Sequence, residues 1–293
     1  MTRHAADDPI SDFDVRIATH HGTPRRVYSI GEGPAVIVIA EMPGISPAVA
    51  DFARRVAGIG ATAVMPSIYG VDGQDPSPSN LGVVGAATNM LGTMGRACIS
   101  RDFTILATGR TSPAVEWMRA LAAEEHQRCG GPGVGAIGMC FTGGFALAMA
   151  TDDRILAPVL AQPSLPFAVS PRRARSLDIS DDDLATVVGR CARGLDVMGV
   201  RFEGDRMSPP SRFQFLREVL GDAFLAIELP DSAANPESPL PTPHSALTND
   251  LIDVPGEPTH DALVAVLDFS PSDSGSPSRS RAISSGRSVA ADQ

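Results

Sequence analysis

Apolar and polar positions alternate at two periods along this chain, and the alternation predicts its elements in order. Asp14-Val15-Arg16-Ile17-Ala18-Thr19 and Arg26-Val27-Tyr28-Ser29-Ile30 alternate at period two, with a turn at His20-His21-Gly22-Thr23-Pro24 between them. They read as an N-terminal antiparallel hairpin. Pro34 to Ala40 is apolar without interruption, as expected of a strand buried on both faces. Ser46-Pro47 then opens a helix with Phe52, Val56 and Ile59 on its inner side, Ser46 as N-cap and Pro47 in the first helical position. Ala61–Pro66 is a second apolar strand, and Ser67 to about Arg101 is long, Gly-rich and weakly periodic. A connection of that length usually carries its own helices or a function, and it is expected to cover the site.

The rhythm continues through the second half. A helix capped by Ser112 is predicted from Pro113 to about Gln127, and strands at Ile155–Ala161, Leu195–Phe202 and Phe224–Leu229. Helices are predicted at Asp181–Arg193, Pro209–Leu220 and over residues 257–269. Strands alternating with helices imply an α/β chain with a mostly parallel sheet covered by helices on both faces. The pattern is read as a single domain over residues 14–269. The polar residues 1–13 and the Ser/Pro/Arg-rich residues 270–293 are expected to be disordered tails.

One stretch breaks the rhythm. Val134 to Met139 is a short apolar strand, Cys140-Phe141-Thr142-Gly143-Gly144 turns through mostly small residues, and Phe145 to Ala150 continues with helical spacing. A tight strand-to-helix turn of this kind lifts a nucleophile out of a sheet, and glycines permit the close backbone approach it needs. Free N–H groups at the start of the following helix favour a thiolate and an oxyanion. A dinucleotide-binding formula, Gly133-x-Gly135-x-x-Gly138, overlaps it, with Asp152 and Asp153 about 20 residues on. That formula requires a strand before its first glycine, and the residues there, Glu124 to Pro132, are polar and turn-forming.

Composition narrows the chemistry. The chain has 293 residues, 43% of them hydrophobic, and a formal net charge of −10, which argues against a nucleic-acid partner. It lacks any run of about 18 apolar residues that would span a membrane, and its first residues have no apolar signal segment. A cytoplasmic location is therefore expected. All 24 basic residues are arginine, which excludes a Schiff-base lysine, a pyridoxal-phosphate lysine and a Walker P-loop. The cysteines Cys98, Cys129, Cys140 and Cys191 form no C-x-x-C pair, so they are expected as free thiols, and Cys140 has the setting of a nucleophile.

A cysteine nucleophile needs a base and an acid to orient that base. On a scaffold of this kind the members follow as nucleophile, acid, histidine, each on a loop after a strand. Cys140, Asp205 and His244 fit that order. Asp196 begins a strand and Asp222 follows a helix. His20 and His21 lie in the hairpin turn, His126 on a polar helix end and His260 near a helix start.

Gly138-Met139-Cys140-Phe141-Thr142-Gly143-Gly144, with Glu41-Met42-Pro43-Gly44 before it and Gly204-Asp205 and Pro243-His244-Ser245 after it, resembles the dienelactone hydrolase family over roughly Asp14 to Phe269. The resemblance implies an α/β-hydrolase fold with cysteine in place of serine. Cys140 would be the nucleophile, His244 the base, Asp205 its orienter, and Glu41 a carboxylate that restrains the thiol until substrate displaces it. The backbone N–H groups of Met42 and Phe141 would form the oxyanion hole, and Arg101 could bind a substrate carboxylate. Thr142 departs from the simplest elbow, which has glycine there. The implied activity is hydrolysis of a small ester or lactone without cofactor or metal. Three alternatives stay open: a different hydrolase on the same scaffold acting on a simple carboxylic ester, a ligand-binding protein of the same fold without turnover, and a nucleotide-binding oxidoreductase. Natural substrate and oligomeric state are not legible.

Overall fold

The computed structural model describes residues 7–99, 103 and 108–272. Its strands are β1 (Asp14–His20), β2 (Thr23–Ile30), β3 (Ala35–Ile39), β4 (Thr62–Pro66), β5 (Val134–Met139), β6 (Ile155–Ala161), β7 (Val197–Phe202) and β8 (Phe224–Leu229). Its helices are α1 (Pro47–Gly58), α2 (Pro78–Ile99), α3 (Ala114–Cys129), α4 (Gly143–Met149), α5 (Pro171–Ala174), α6 (Asp181–Cys191), α7 (Pro210–Leu220) and α8 (Pro258–Phe269).

The strands form one sheet in the order β1-β2-β4-β3-β5-β6-β7-β8. The hairpin is antiparallel, β2 runs antiparallel to β4, and every pair from β4 to β8 is parallel. Period two explains why the parallel strands read as unbroken apolar runs. In β3, Ile37 and Ile39 enter the core shared with α3, α4, α6 and α7, while Val36 and Val38 enter the core shared with α1 and α8. Both faces are covered, so every position must be apolar. Fully burying a side chain such as Phe52 of α1 contributes about 1.5–3 kcal/mol. Ser46 caps α1 as expected, its hydroxyl accepting from Val49 N–H at 3.3 Å.

One expectation gains detail and one changes. The long segment after β4 carries a 22-residue helix, α2, interrupted at Gly82, whose φ of 71° is not helical. Its weak periodicity reflects an outer face that is apolar and exposed at Val83, Val84 and Leu91. Residues 7–13, expected in a disordered tail, pack on the body. Ile10 and Phe13 are buried on the α1/α8 side, Asp8 N–H donates to Gly73 O at 2.7 Å, and Arg54 pairs with Asp8 and Asp12. Two apolar residues, an arginine partner and bonds from Asp75 N–H and Asn80 to Asp7 hold a segment that is polar on average. Ser270 to Ser272 are buried too. Among the described residues, no helix is long and apolar enough to cross a membrane.

β5 lies between β3 and β6, and the loops after β3, β5, β6, β7 and β8 leave the sheet at their carboxyl ends. In open α/β sheets that edge is where ligand sites are built.

Candidate active site

Cys140 follows β5 and opens a single 3-10 turn, Cys140–Thr142, that leads into α4. Its φ is +52°, a left-handed conformation uncommon for a side-chain-bearing residue. Backbone strain of this kind persists only where the surroundings over-determine it. Here they do so on two sides. A Cβ at Gly138 would lie 2.2 Å from Thr142 O, and one at Gly143 would lie 2.5 Å from Pro163 Cα. Neither position can hold another residue without moving backbone.

Thr142, the departure from the simplest elbow, is the brace of the turn. Its hydroxyl accepts from Met139 N–H at 3.1 Å and donates to Ile39 O at 2.9 Å. The elbow is thereby tied to the end of β3, where Glu41 and Met42 begin. Among the described residues neither Met42 N–H nor Phe141 N–H has a hydrogen-bond acceptor.

Asp205 follows β7 and His244 lies beyond β8, both buried. Asp205 Oδ2 accepts from His244 Nδ1 at 2.7 Å, while Oδ1 accepts from Met207 N–H at 2.9 Å and Ser208 N–H at 3.2 Å. His244 Nε2 is buried with no hydrogen-bond partner among the described residues, and the Cys140 sulfur acts on the ring electrostatically. Burial works against the imidazolium. The Cys140 sulfur and the Asp205 carboxylate outweigh it and raise His244 well above its ordinary value. Asp250 holds the loop, its Oδ2 accepting from His244 N–H at 2.8 Å and Ser245 N–H at 2.7 Å.

Glu41 is buried but is not hydrogen-bonded to the thiol. Oε2 accepts from Ser245 Oγ at 2.7 Å and from Gln162 Nε2 at 3.4 Å, and Oε1 accepts from Thr248 Oγ1. Burial raises its carboxyl above the usual range, and the Thr248 and Ser245 hydroxyls oppose that shift. Arg101 lies outside the described residues. So does most of the segment around it, although Phe103 stacks on Phe145 and meets Phe141 and Tyr69 edge-on or tilted.

Cys129, Cys140 and Cys191 are free thiols. Burial pushes Cys129 up, and burial together with Asp196 pushes Cys191 up to about 11, so both are unreactive as thiolates near neutrality. Among the described residues, no cluster of three or more His, Cys, Asp or Glu side chains could hold a metal ion.

Four contributors to the site escape sequence reasoning. Ser164, on the loop after β6, has its Oγ 3.3 Å from Cys140 Sγ and donates its N–H to Cys140 O at 2.9 Å. Arg212 of α7 is fully buried and donates to the carbonyls of Pro163, Pro166, Met207 and Arg173, binding the Ser164 loop to the Asp205 loop. Desolvation lowers it to about 10, and Asp205 opposes that shift. Arg201 of β7 does the same within the acid loop, donating to Ser208 O at 2.8 Å and Glu203 O at 2.7 Å. Asp250 is the fourth. Only Asp250 carried a usable signal, as an Asx residue shortly after the histidine.

Comparison with known proteins agrees with this architecture. The dienelactone hydrolase family matches residues 17–180. Among solved structures, a puromycin hydrolase superposes with a TM-score of 0.51 at 15% identity, covering 89% of this chain and 40% of its own. A dienelactone hydrolase-like promiscuous phosphotriesterase from metagenomic libraries gives a TM-score of 0.49 at 16% identity, with 80% of this chain and 91% of that one covered. A cold-adapted esterase from an Arctic intertidal metagenomic library gives 0.45 at 13% identity, covering 78% and 89%. No curated protein matches the sequence. The eight-stranded, mostly parallel sheet with helices on both faces is an α/β-hydrolase fold. Since the family match extends over more than half of the sequence, the chain belongs to the dienelactone hydrolase family and is a carboxylic ester hydrolase of that type.

Proposed function

We propose that this chain hydrolyses a small carboxylic ester or lactone through a thioester on Cys140, with His244 and Asp205 completing the triad. One observation carries the reading: the buried line from Asp205 Oδ2 to His244 Nδ1, 2.7 Å, with the Cys140 sulfur at the other side of the ring. A structural histidine would not need a second nitrogen left buried without a hydrogen-bond partner in reach of a cysteine's charge.

His244 takes the Cys140 proton, and Asp205 fixes the ring orientation and stabilises the imidazolium. The thiolate attacks the substrate carbonyl carbon, and the electron pair moves onto the carbonyl oxygen. The N–H groups of Met42 and Phe141 hold that oxyanion, and such a donor is typically worth about 10²–10³ in turnover. Collapse expels the alkoxide, which His244 protonates; from a lactone the alcohol stays on the acyl group. His244 then removes a proton from water, the hydroxide attacks the thioester, and the carbon–sulfur bond breaks to return the thiolate.

Glu41, bonded to Ser245 and Thr248, leaves the thiol to His244. The restraint implied by family resemblance would require it to leave those hydroxyls. Arg101 is retained as the proposed clamp for a substrate carboxylate, because guanidinium and carboxylate match in two parallel bonds.

Mass spectrometry after incubation with an activated aryl ester tests the mechanism. The expected result is one acyl adduct, on the peptide containing Cys140. Unchanged turnover in Cys140→Ala would sink it. A panel of esters and lactones with and without a free carboxylate, assayed on the parent and Arg101→Ala, tests the substrate class.

A further inference from the structure

The loop after β6 meets the nucleophile at two points, and nothing in the triad accounts for either. Ser164 N–H donates to Cys140 O at 2.9 Å, and Ser164 Oγ stands 3.3 Å from Cys140 Sγ. Ser164 is 2% exposed, so water does not compete for the hydroxyl. Among the described residues the sulfur is its sole hydrogen-bond partner. The loop is also fixed in place. Arg212 donates to the carbonyls on either side, Pro163 and Pro166, and Gly143 packs its Cα against Pro163. A hydroxyl delivered this firmly to one atom is placed for that atom.

We propose that Ser164 donates its hydroxyl proton as a hydrogen bond to the Cys140 sulfur, stabilising the thiolate when it forms for attack and again when it leaves the thioester. This deepens the triad reading and rests on it for its catalytic consequence. The direction of the bond follows from the hydroxyl itself. Its proton needs an acceptor in a site closed to water, and among the described residues the Cys140 sulfur is the one within reach. Among the described residues, Tyr69 from the segment after β4 is another titratable group that interacts with the sulfur, and its hydroxyl donates to Ala40 O instead.

The consequence differs between states. A thiolate is a strong acceptor and a thioester sulfur a poor one, so the bond strengthens as Cys140 loses its proton, weakens in acyl-enzyme and is remade as the carbon–sulfur bond breaks onto sulfur. Ser164 stays a neutral hydroxyl throughout. Hydrogen bonds to charged groups are strong enough to move a titration by about one unit, a tenfold change in thiolate fraction.

The test is site-resolved alkylation of Cys140 by iodoacetamide across pH, read by mass spectrometry so that the other thiols do not interfere. Ser164→Ala is expected to raise the midpoint by about one unit, and the isosteric pair Ser164→Thr and Ser164→Val separates the hydroxyl from packing, with Thr keeping the parent midpoint and Val losing it. With an activated ester, Ser164→Val is expected to accumulate more acyl-enzyme than Ser164→Thr, because deacylation loses its leaving-group donor. An identical midpoint in Thr and Val variants overturns the proposal. Alkylation needs no ester, so the two readings fail separately. A moved midpoint with turnover surviving Cys140→Ala overturns the triad and leaves the Ser164 contact, whereas an unmoved midpoint with Cys140-dependent turnover does the reverse.

Discussion

One carboxylate serves two loops: Asp205 Oδ2 accepts from His244 Nδ1 at 2.7 Å while its Oδ1 accepts from the Met207 and Ser208 N–H groups. The backbone bonds lock the carboxyl plane, so the histidine inherits its orientation from the end of β7. Asp205→Asn would keep the shape but offer an amide, which favours the wrong tautomer of the ring. The expected outcome is a loss of about 10²–10⁴-fold in kcat/KM with little change in melting temperature, measured on an aryl ester.

Glu41 predicts a pH dependence of stability. Its folded pKa is raised, chiefly by burial, above the ordinary 4.5. The folded state therefore holds a proton that the unfolded chain releases, so this contribution is fully present below about 4.5 and is lost as pH rises toward the folded value. Glu41→Gln removes that loss while an amide can still meet Ser245 and Thr248. Melting curves should show the variant gaining on the parent as pH rises above about 4.5, with no gain below it. A gap that does not widen with pH would contradict the assignment.

Thr142 predicts a coupled loss. Thr142→Val keeps the volume and removes the bonds to Met139 N–H and Ile39 O. Leaving such buried groups unpartnered costs about 1–3 kcal/mol, readable as a midpoint shift in urea unfolding. Turnover should fall as well, because the hydroxyl ties the elbow to the Met42 loop. Lost stability with unchanged kcat would show the brace to be structural alone.

Arg212 predicts a larger loss of stability. Its guanidinium donates to four backbone carbonyls in a fully buried position. Arg212→Leu fills part of the space and satisfies none of them, with an expected cost of at least about 3 kcal/mol. Urea unfolding checks it, and Arg212→Lys should recover only part, since one ammonium cannot reach four acceptors in a planar fork.

The parallel strands, the elbow and the order Cys140, Asp205, His244 were legible because each depends on local pattern. Ile37 and Val38 are apolar because both sheet faces are covered, and Gly138 and Gly143 are small because the turn closes on itself. The packing of residues 7–13 was not legible, for the opposite reason. Averaged polarity hides two residues, Ile10 and Phe13, whose burial depends on a distant surface.

By itself, then, the sequence determined which elements form, where the chain turns sharply and which side chains could do chemistry. Tertiary structure alone decided which of them meet. Ser164 reaches Cys140 across 24 positions, Glu41 reaches Ser245 and Thr248 across more than 200, and Arg212 joins two loops from inside a helix. No periodicity records such contacts. They arise because parallel strands bring their carboxyl-end loops to one edge, where residues far apart in the chain compete for the same few buried hydrogen-bond partners.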